Sequence, residues 1–245
     1  MSDNISAADE SKRLVSRIND MIRLAEKRGS VYSSFLNARE CVLAEAELKR
    51  LMYDNYCFYG LFENAERKML CVFKEYYQPE NSDFPMTCLT FSYRKENKLT
   101  HRDFLGAIMA LQIKRETVGD IVIGDGTAQI AVSDSVGNVI KSDIRKIGSV
   151  GVKVSDECGT VLKKVQEFKE IKGTVASLRL DSVLSLALNM SRSRTAGIIK
   201  GIGAEVNYFL KYDSSFNLSQ GDIISVKGFG NFRHHKERQN THNFV

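Results

Sequence analysis

One stretch, residues 178–226, orders more structural signals than any other part of the chain and leaves few folds open to it. Leu180, Val183, Leu184, Ala187 and Leu188 recur at three- to four-residue spacing, which marks one apolar face of a short helix. Asn189 and Met190 break that face. Ser191 then stands where a hydroxyl caps a second helix with apolar positions Ala196, Ile198 and Ile199. Residues 204–209 and 222–226 are β-rich runs separated by a polar loop over 211–221. The stretch reads as two short helices meeting at a turn, followed by a small strand pair.

The second helix carries Arg192 and Arg194 in its first turn and Lys200 near its last. Cations at a helix start oppose the helix dipole, at a cost of a few tenths to about 1 kcal/mol. The placement becomes favourable when an anion compensates, and N–H groups at that terminus also favour a phosphate.

This order of elements resembles the RNA-binding module named after small-subunit ribosomal protein S-four. The resemblance implies that the helix pair and the loop after it hold structured RNA. The RNA-contact candidates are Arg179, Ser191, Arg192, Ser193, Arg194, Lys200, Asn207, Lys227 and Arg233. Arg179 either touches RNA or pairs with an acid to hold the helix pair. Leu180 and Asp181 read as scaffold, and Asn207 as a turn former whose amide is also able to read a base. Where the module usually carries glycine and then valine, this chain has Ile202 and Ala204, with glycines at Gly201 and Gly203. A locally rebuilt turn is expected there.

At 245 residues and 43% hydrophobic content, the chain is long enough for two or three small domains. Its first ten residues are polar and acidic, and no run of about 18 apolar residues occurs. A cytoplasmic protein that neither spans a membrane nor is exported is expected. Cys41, Cys57, Cys71, Cys88 and Cys158 form no CxxC or Cys/His motif, so reduced core thiols are expected, with no metal site and no cofactor. From Gly173 onward there are nine Lys/Arg against five Asp/Glu, a net +4 out of +5 for the whole chain. Positive charge thus concentrates in the C-terminal module, as an RNA footprint requires.

Upstream, apolar spacing predicts a helix over 11–27 with Gly29 as its stop, a second over 37–52, and strands over 56–62 and 69–76. Pro79 and Pro85 bracket a polar linker. From there the pattern changes to a strand at 87–93, a helix from Thr100 to Leu111 with Asp103 as capping partner, and strands at 120–123 and 128–132 around Gly124-Asp125-Gly126. A helix over 137–146 and a strand over 150–154 complete a βαββαβ order, the ferredoxin-like arrangement shared by many RNA-binding domains. The expected class is α+β, in four parts. These are an N-terminal α+β region (1–84), a ferredoxin-like, RRM-like domain (85–158), a small α/β S-four domain (174–232) and a polar tail (233–245). The strands at 121–123 and 130–132 are aliphatic, so base stacking on that sheet is not expected.

Several strings extend the resemblance beyond the module. Ala65-Glu66-Arg67-Lys68 with Tyr76-Tyr77, Leu99-Thr100-His101-Arg102-Asp103 with Leu105-Gly106, Ile113-Lys114-Arg115 with Gly119-Asp120-Ile121, and Val226-Lys227-Gly228-Phe229-Gly230 resemble the YlmH-type ribosome-associated RNA-binding proteins. That resemblance implies a non-enzymatic, monomeric protein. It would bind large-subunit ribosomal RNA and tRNA or peptidyl-tRNA held on the ribosome, in rescue of stalled translation, with a link to cell division in some relatives.

A secondary RNA site is expected at Thr100, His101 and Arg102, with Lys114 and Arg115 nearby; the alternative is that Thr100 to Asp103 simply start a helix. The histidines of the tail, His234, His235 and His242, are expected in a flexible basic extension rather than a metal site. Arg179-Leu180-Asp181 also resembles the catalytic string of pseudouridine synthases, which opens an RNA-modifying alternative. The catalytic domain of those enzymes normally follows such a module, and here the module itself consumes the residues after Asp181. A third possibility is an adaptor that recruits another protein through the apolar faces of the N-terminal helices.

Overall fold

The computed structural model describes residues 7–163, 171–237 and 241–244. Helix α1 (Ala7–Arg28) opens on Asp9 and Glu10 and closes on Lys27 and Arg28, charges that complement its dipole. Leu14, Ile18, Met21 and Ala25 form its buried stripe. Residues 30–36, which show no clear alternation, form strand β1 (Ser30–Leu36), and a register shift between Tyr32 and Phe35 explains why the period is hidden.

Helix α2 (Ala38–Arg50) begins with a reciprocal cap: Asn37 Oδ1 accepts the Glu40 N–H at 2.9 Å, and Glu40 Oε2 accepts the Asn37 N–H at 2.7 Å. Strands β2 (Tyr56–Tyr59) and β3 (Lys68–Phe73) are shorter than their apolar runs, because Leu61 and Asn64 turn with positive φ between them. The three strands form an antiparallel sheet, order β1-β3-β2, whose Leu70 and Val72 pack with Leu14, Ile18 and Leu48 of the helices. Each such fully buried side chain contributes about 1.5–3 kcal/mol.

Strand β4 (Met86–Ser92), helix α3 (His101–Ala110), strands β5 (Val118–Gly124) and β6 (Thr127–Ser133) and helix α4 (Asp134–Asp143) follow. Gly126 closes the β5–β6 hairpin at φ +68°, where an added Cβ would stand 3.1 Å from the Tyr93 carbonyl oxygen. Helix α4 starts earlier and ends sooner than the predicted 137–146, because Ile144 and Ile147 leave it to fill the core. The single strand expected at 150–154 is divided. β7 (Lys146–Ile147) pairs with β8 (Val150–Gly151), and β9 (Lys153–Ser155) pairs with β4. The resulting antiparallel sheet has the order β5-β6-β4-β9.

Contacts divide the chain into two compact units, Met1–Val165 and Gln166–Val245. Within the first, residues on both sides of the Pro79–Pro85 linker share one apolar cluster, in which Phe35, Met69 and Cys71 meet Cys88, Val122 and Ala131. The buried Asp120 carboxylate reinforces it by accepting the Glu66 and Arg67 N–H groups at 2.9 and 3.0 Å.

The second unit holds β10 (Ile171–Gly173), α5 (Leu180–Ala187), α6 (Arg192–Ile202), β11 (Ala204–Val206), β12 (Phe209–Lys211), β13 (Ile223–Val226), β14 (Gly230–Glu237) and β15 (Thr241–Phe244). Its antiparallel sheet has the order β10-β15-β14-β13-β11-β12. Leu180, Val183, Leu184, Ile199, Val206 and Ile224 form the core. The run at 204–209 is a hairpin rather than one strand, because Asn207 and Tyr208 take φ +49° and +69°. The rebuilt turn after α6 falls on Gly203, at φ +79°. The tail is corrected from a flexible extension to sheet: β14 and β15 run through it, and backbone pairing organises a polar segment that has no apolar alternation to announce it.

Candidate nucleic-acid interface

Helices α5 and α6 meet at Asn189, whose φ of +51° makes the turn, with Ser185 Oγ donating to the Met190 carbonyl at 2.9 Å. Ser191 caps α6 and accepts the Arg194 N–H at 3.3 Å, while its hydroxyl lies 3.2 Å from that of Ser193. Thr195, fully buried, donates to the Asp181 carbonyl at 3.1 Å and ties the two helices at their crossing.

The carboxylate of Asp181, 6% exposed, is held from both sides. Arg192 binds it through Nε at 3.0 Å and Nη2 at 3.2 Å, and Arg179 through Nη2 at 3.2 Å and Nε at 3.3 Å. Burial works to raise the Asp181 pKa, but hydrogen bonds from Arg192 and Arg179 outweigh it and hold the group below its usual range. The anion that compensates Arg192 at the start of α6 is therefore supplied by the protein itself. Arg179 pairs with Asp181 as the helix-holding role requires.

Arg194 and Lys200 are exposed and have no carboxylate within ion-pair distance among the described residues. Two residues between and beside them carry no candidate chemistry in the sequence yet shape this face. Gly197 and Gly201 are exposed and have nothing within 4 Å of where a Cβ would stand. Their helical spacing from Ser193 and Arg194 places a bare strip of backbone beside two free cations. The signal for it, glycines at i and i+4 inside a helix, runs against helix propensity by about 1 kcal/mol each.

Asn207 shapes the turn: its amide donates to Asp222 Oδ1 at 2.8 Å and accepts the Ile223 N–H at 3.0 Å. Lys227 is exposed in the turn between β13 and β14. Arg233 lies on β14 opposite Ile223, and its side chain is outside the described residues, as are those of His234, His235 and His242. Among the described residues, no three His, Cys, Asp or Glu side chains converge to hold a metal ion. No described helix is long and apolar enough to cross a membrane.

In the first unit, Thr100 starts α3, and the Asp103 carboxylate accepts both its N–H at 2.7 Å and its hydroxyl at 2.6 Å. Those bonds from Thr100 hold the Asp103 pKa below its usual range. His101 and Arg102 are exposed at this end. Lys114 and Arg115 are not their neighbours: they lie beyond the other end of α3, whose ten residues span about 15 Å. Arg115 instead meets Arg67, and the two guanidiniums share the Val118 carbonyl.

Residues 79–159, which contain β4 to β9, match a family described as "Putative RNA-binding domain in YlmH". Over 200 residues the chain is 32% identical to the ribosome-associated protein quality control protein P2 of Bacillus subtilis (strain 168), covering 81% of this chain and 77% of that protein. Its fold is similar to that of the cell division protein ylmH from Streptococcus pneumoniae, at a TM-score of 0.52 and 24% identity, over 64% of this chain and 96% of that one. Fold and matches define the class as α+β proteins built from several antiparallel sheets with an RNA-binding domain of this kind. The chain belongs to the YlmH family.

Proposed function

We propose that this chain is a non-enzymatic, monomeric, cytoplasmic RNA-binding protein that associates with the large ribosomal subunit. There it contacts ribosomal RNA and the tRNA or peptidyl-tRNA held on the ribosome, in rescue or quality control of stalled translation. The relative in Bacillus subtilis, named for ribosome-associated quality control, supports the setting. We read the second unit as an S-four module. We read β4-α3-β5-β6-α4-β9 as a ferredoxin-like domain, from its βαββαβ order and its strand order β5-β6-β4-β9.

The observation that carries the reading is the exposed face of α6. Arg194 and Lys200, unpaired among the described residues, offer charge on either side of Gly197, where a sugar-phosphate backbone meets no side chain as it approaches the helix. The non-enzymatic reading draws on Asp181. As the nucleophile or base of a modifying enzyme it would need to reach a base, and here it is buried under two arginines.

Co-sedimentation with large ribosomal subunits tests the interface. The double variant Arg194→Glu/Lys200→Glu is expected to lose binding at least tenfold while its circular dichroism is unchanged. Affinity of the native chain is expected to fall about tenfold or more between 50 and 200 mM salt, as release of counterions from two or three phosphates requires. Retained, salt-insensitive binding would sink the surface and favour a protein-recruiting adaptor. A new modified nucleoside after incubation with bulk RNA would favour the pseudouridine-synthase alternative.

A further inference from the structure

The first unit contains a basic cleft of about 530 Å³ that the α6 face does not account for. Arg17 of α1, Ser34 of β1, Arg67 ahead of β3, and Lys114 and Arg115 ahead of β5 line it. Its built part is the guanidinium pair. Arg67 Nε donates to the Val118 carbonyl at 2.9 Å, and Arg67 Nη2 donates to the carbonyls of Phe35 at 3.2 Å and Arg115 at 3.3 Å. Arg115 donates to the same Val118 carbonyl. Backbone oxygens thus fix two half-buried arginines side by side, and neither has a carboxylate within ion-pair distance among the described residues. Among the described residues Arg17 and Lys114, exposed, are likewise without one, and Arg17 reaches Ser34 Oγ at 3.2 Å.

The lining holds four cations against two carboxylates, a net +2. Of the two, Glu40 accepts a backbone N–H in the α2 cap, and Glu116 is exposed. Burial, and then the charge of Arg67, push the Arg115 pKa down to about 10, and the opposing pull of the Asp120 carboxylate does not offset them. Asp120 acts on both guanidiniums and Glu40 on Arg67, yet an anion between them lowers the remaining repulsion, and the positive end of α2, which opens on the cleft at Asn37, adds to the attraction.

The shape narrows the class of anion. The volume lies in the range that takes a small ligand, roughly 300–1,000 Å³, and exceeds a single bare phosphate. Phe35, the aromatic residue of the lining, is 1% exposed and offers no ring for stacking a base. We propose that this cleft is a second, base-indifferent site for the phosphate of a nucleotide, free or as a unit of an RNA strand, held by Arg17, Arg67, Lys114 and Arg115. It does not depend on the α6 face.

The test uses the full chain carrying Arg194→Glu/Lys200→Glu, so that the α6 face is silenced, with ten-nucleotide oligo(U) and oligo(A), AMP and pyrophosphate as probes. Residual oligonucleotide binding is expected, equal within about threefold for U and A and displaced by pyrophosphate. Adding Arg17→Gln/Lys114→Gln, which leaves the carbonyl bonds of Arg67 intact, is expected to weaken it at least tenfold and to lower the salt slope by about 1.4, as two charges on a single strand require. AMP as good as the oligonucleotide identifies a free nucleotide as the ligand, and AMP much weaker identifies a strand. Affinity unchanged by Arg17→Gln/Lys114→Gln, or a tenfold preference for one base, overturns the inference. The two readings fail separately. In the otherwise native chain, ribosome binding lost only through Arg194 and Lys200, with phosphate binding absent, removes the cleft alone. Phosphate binding intact, with ribosome binding indifferent to Arg194 and Lys200, removes the α6 surface alone.

Discussion

Arg192, in the first turn of α6, grips the carboxylate of Asp181, in the first turn of α5, through Nε at 3.0 Å and Nη2 at 3.2 Å. This two-point bond, backed by Arg179, joins two helices that also share an apolar core of Leu180, Val183 and Leu184 with Ile199. Asp181→Asn keeps the volume but leaves two guanidiniums without a counter-charge. A loss of about 1–3 kcal/mol is expected for the second unit, with the arginines' partial exposure keeping it below the cost of breaking a fully buried pair. Amide exchange in α5 and α6 should then quicken roughly five- to 150-fold. Exchange unchanged from the native chain would show that the clasp is ornamental.

The same pair sets an acid response. The folded pKa of Asp181 is lowered, so the stability it contributes is fully present above the unfolded value of 3.8 and is lost as pH falls from there through the folded value. As the pH falls below about 4 the native chain should therefore lose α5–α6 protection more steeply than Asp181→Asn, which has no proton to take up at this site. Parallel pH profiles for the two proteins would contradict the assignment.

Gly197 separates folding from binding. Space beside it is open, so Gly197→Ala is expected to stabilise α6 by about 0.5–1 kcal/mol through helix propensity. Gly197→Trp is expected to fold as well as the native chain, yet to weaken ribosome binding at least tenfold by standing between Arg194 and Lys200. Full binding by Gly197→Trp would mean that RNA approaches elsewhere.

Much of this architecture is legible in local chemistry. Asn37 with Glu40, Thr100 with Asp103, and Ser191 ahead of Arg194 announce helix starts because capping acts over three residues. Strand β1 is not legible, because the irregularity between Tyr32 and Phe35 destroys the two-residue period. β14 is missed because its sequence is polar and it is paired along its backbone with β13 and β15. At the interface, Arg194 and Lys200 are visible as charge, but the pairing of Arg192 with Asp181, eleven residues away, depends on how two helices cross. The cleft draws Arg17, Arg67 and Arg115 from three distant segments, and no spacing rule connects them.

The cysteines supply the last prediction. Burial pushes the Cys71 thiol up to about 12 and the Cys41 thiol up to about 11, and raises Cys57 as well. Cys71 and Cys57 face each other across β3 and β2, inside the cluster that also holds Cys88 and Cys158. The thiolate is the reactive form, and at pH 8 a thiol of pKa 12 presents only about one part in ten thousand of it, against about a quarter for a free cysteine. Ellman's reagent at pH 8 should therefore leave Cys71 and Cys41 untouched for many minutes in the folded chain and titrate all five thiols in urea. Raising the pH from 8 to 9 should speed the slow native reaction about tenfold, since both groups remain far below half-ionised. Immediate labelling of Cys71 in the native chain would mean that the apolar cluster joining the two sheets of the first unit opens in solution.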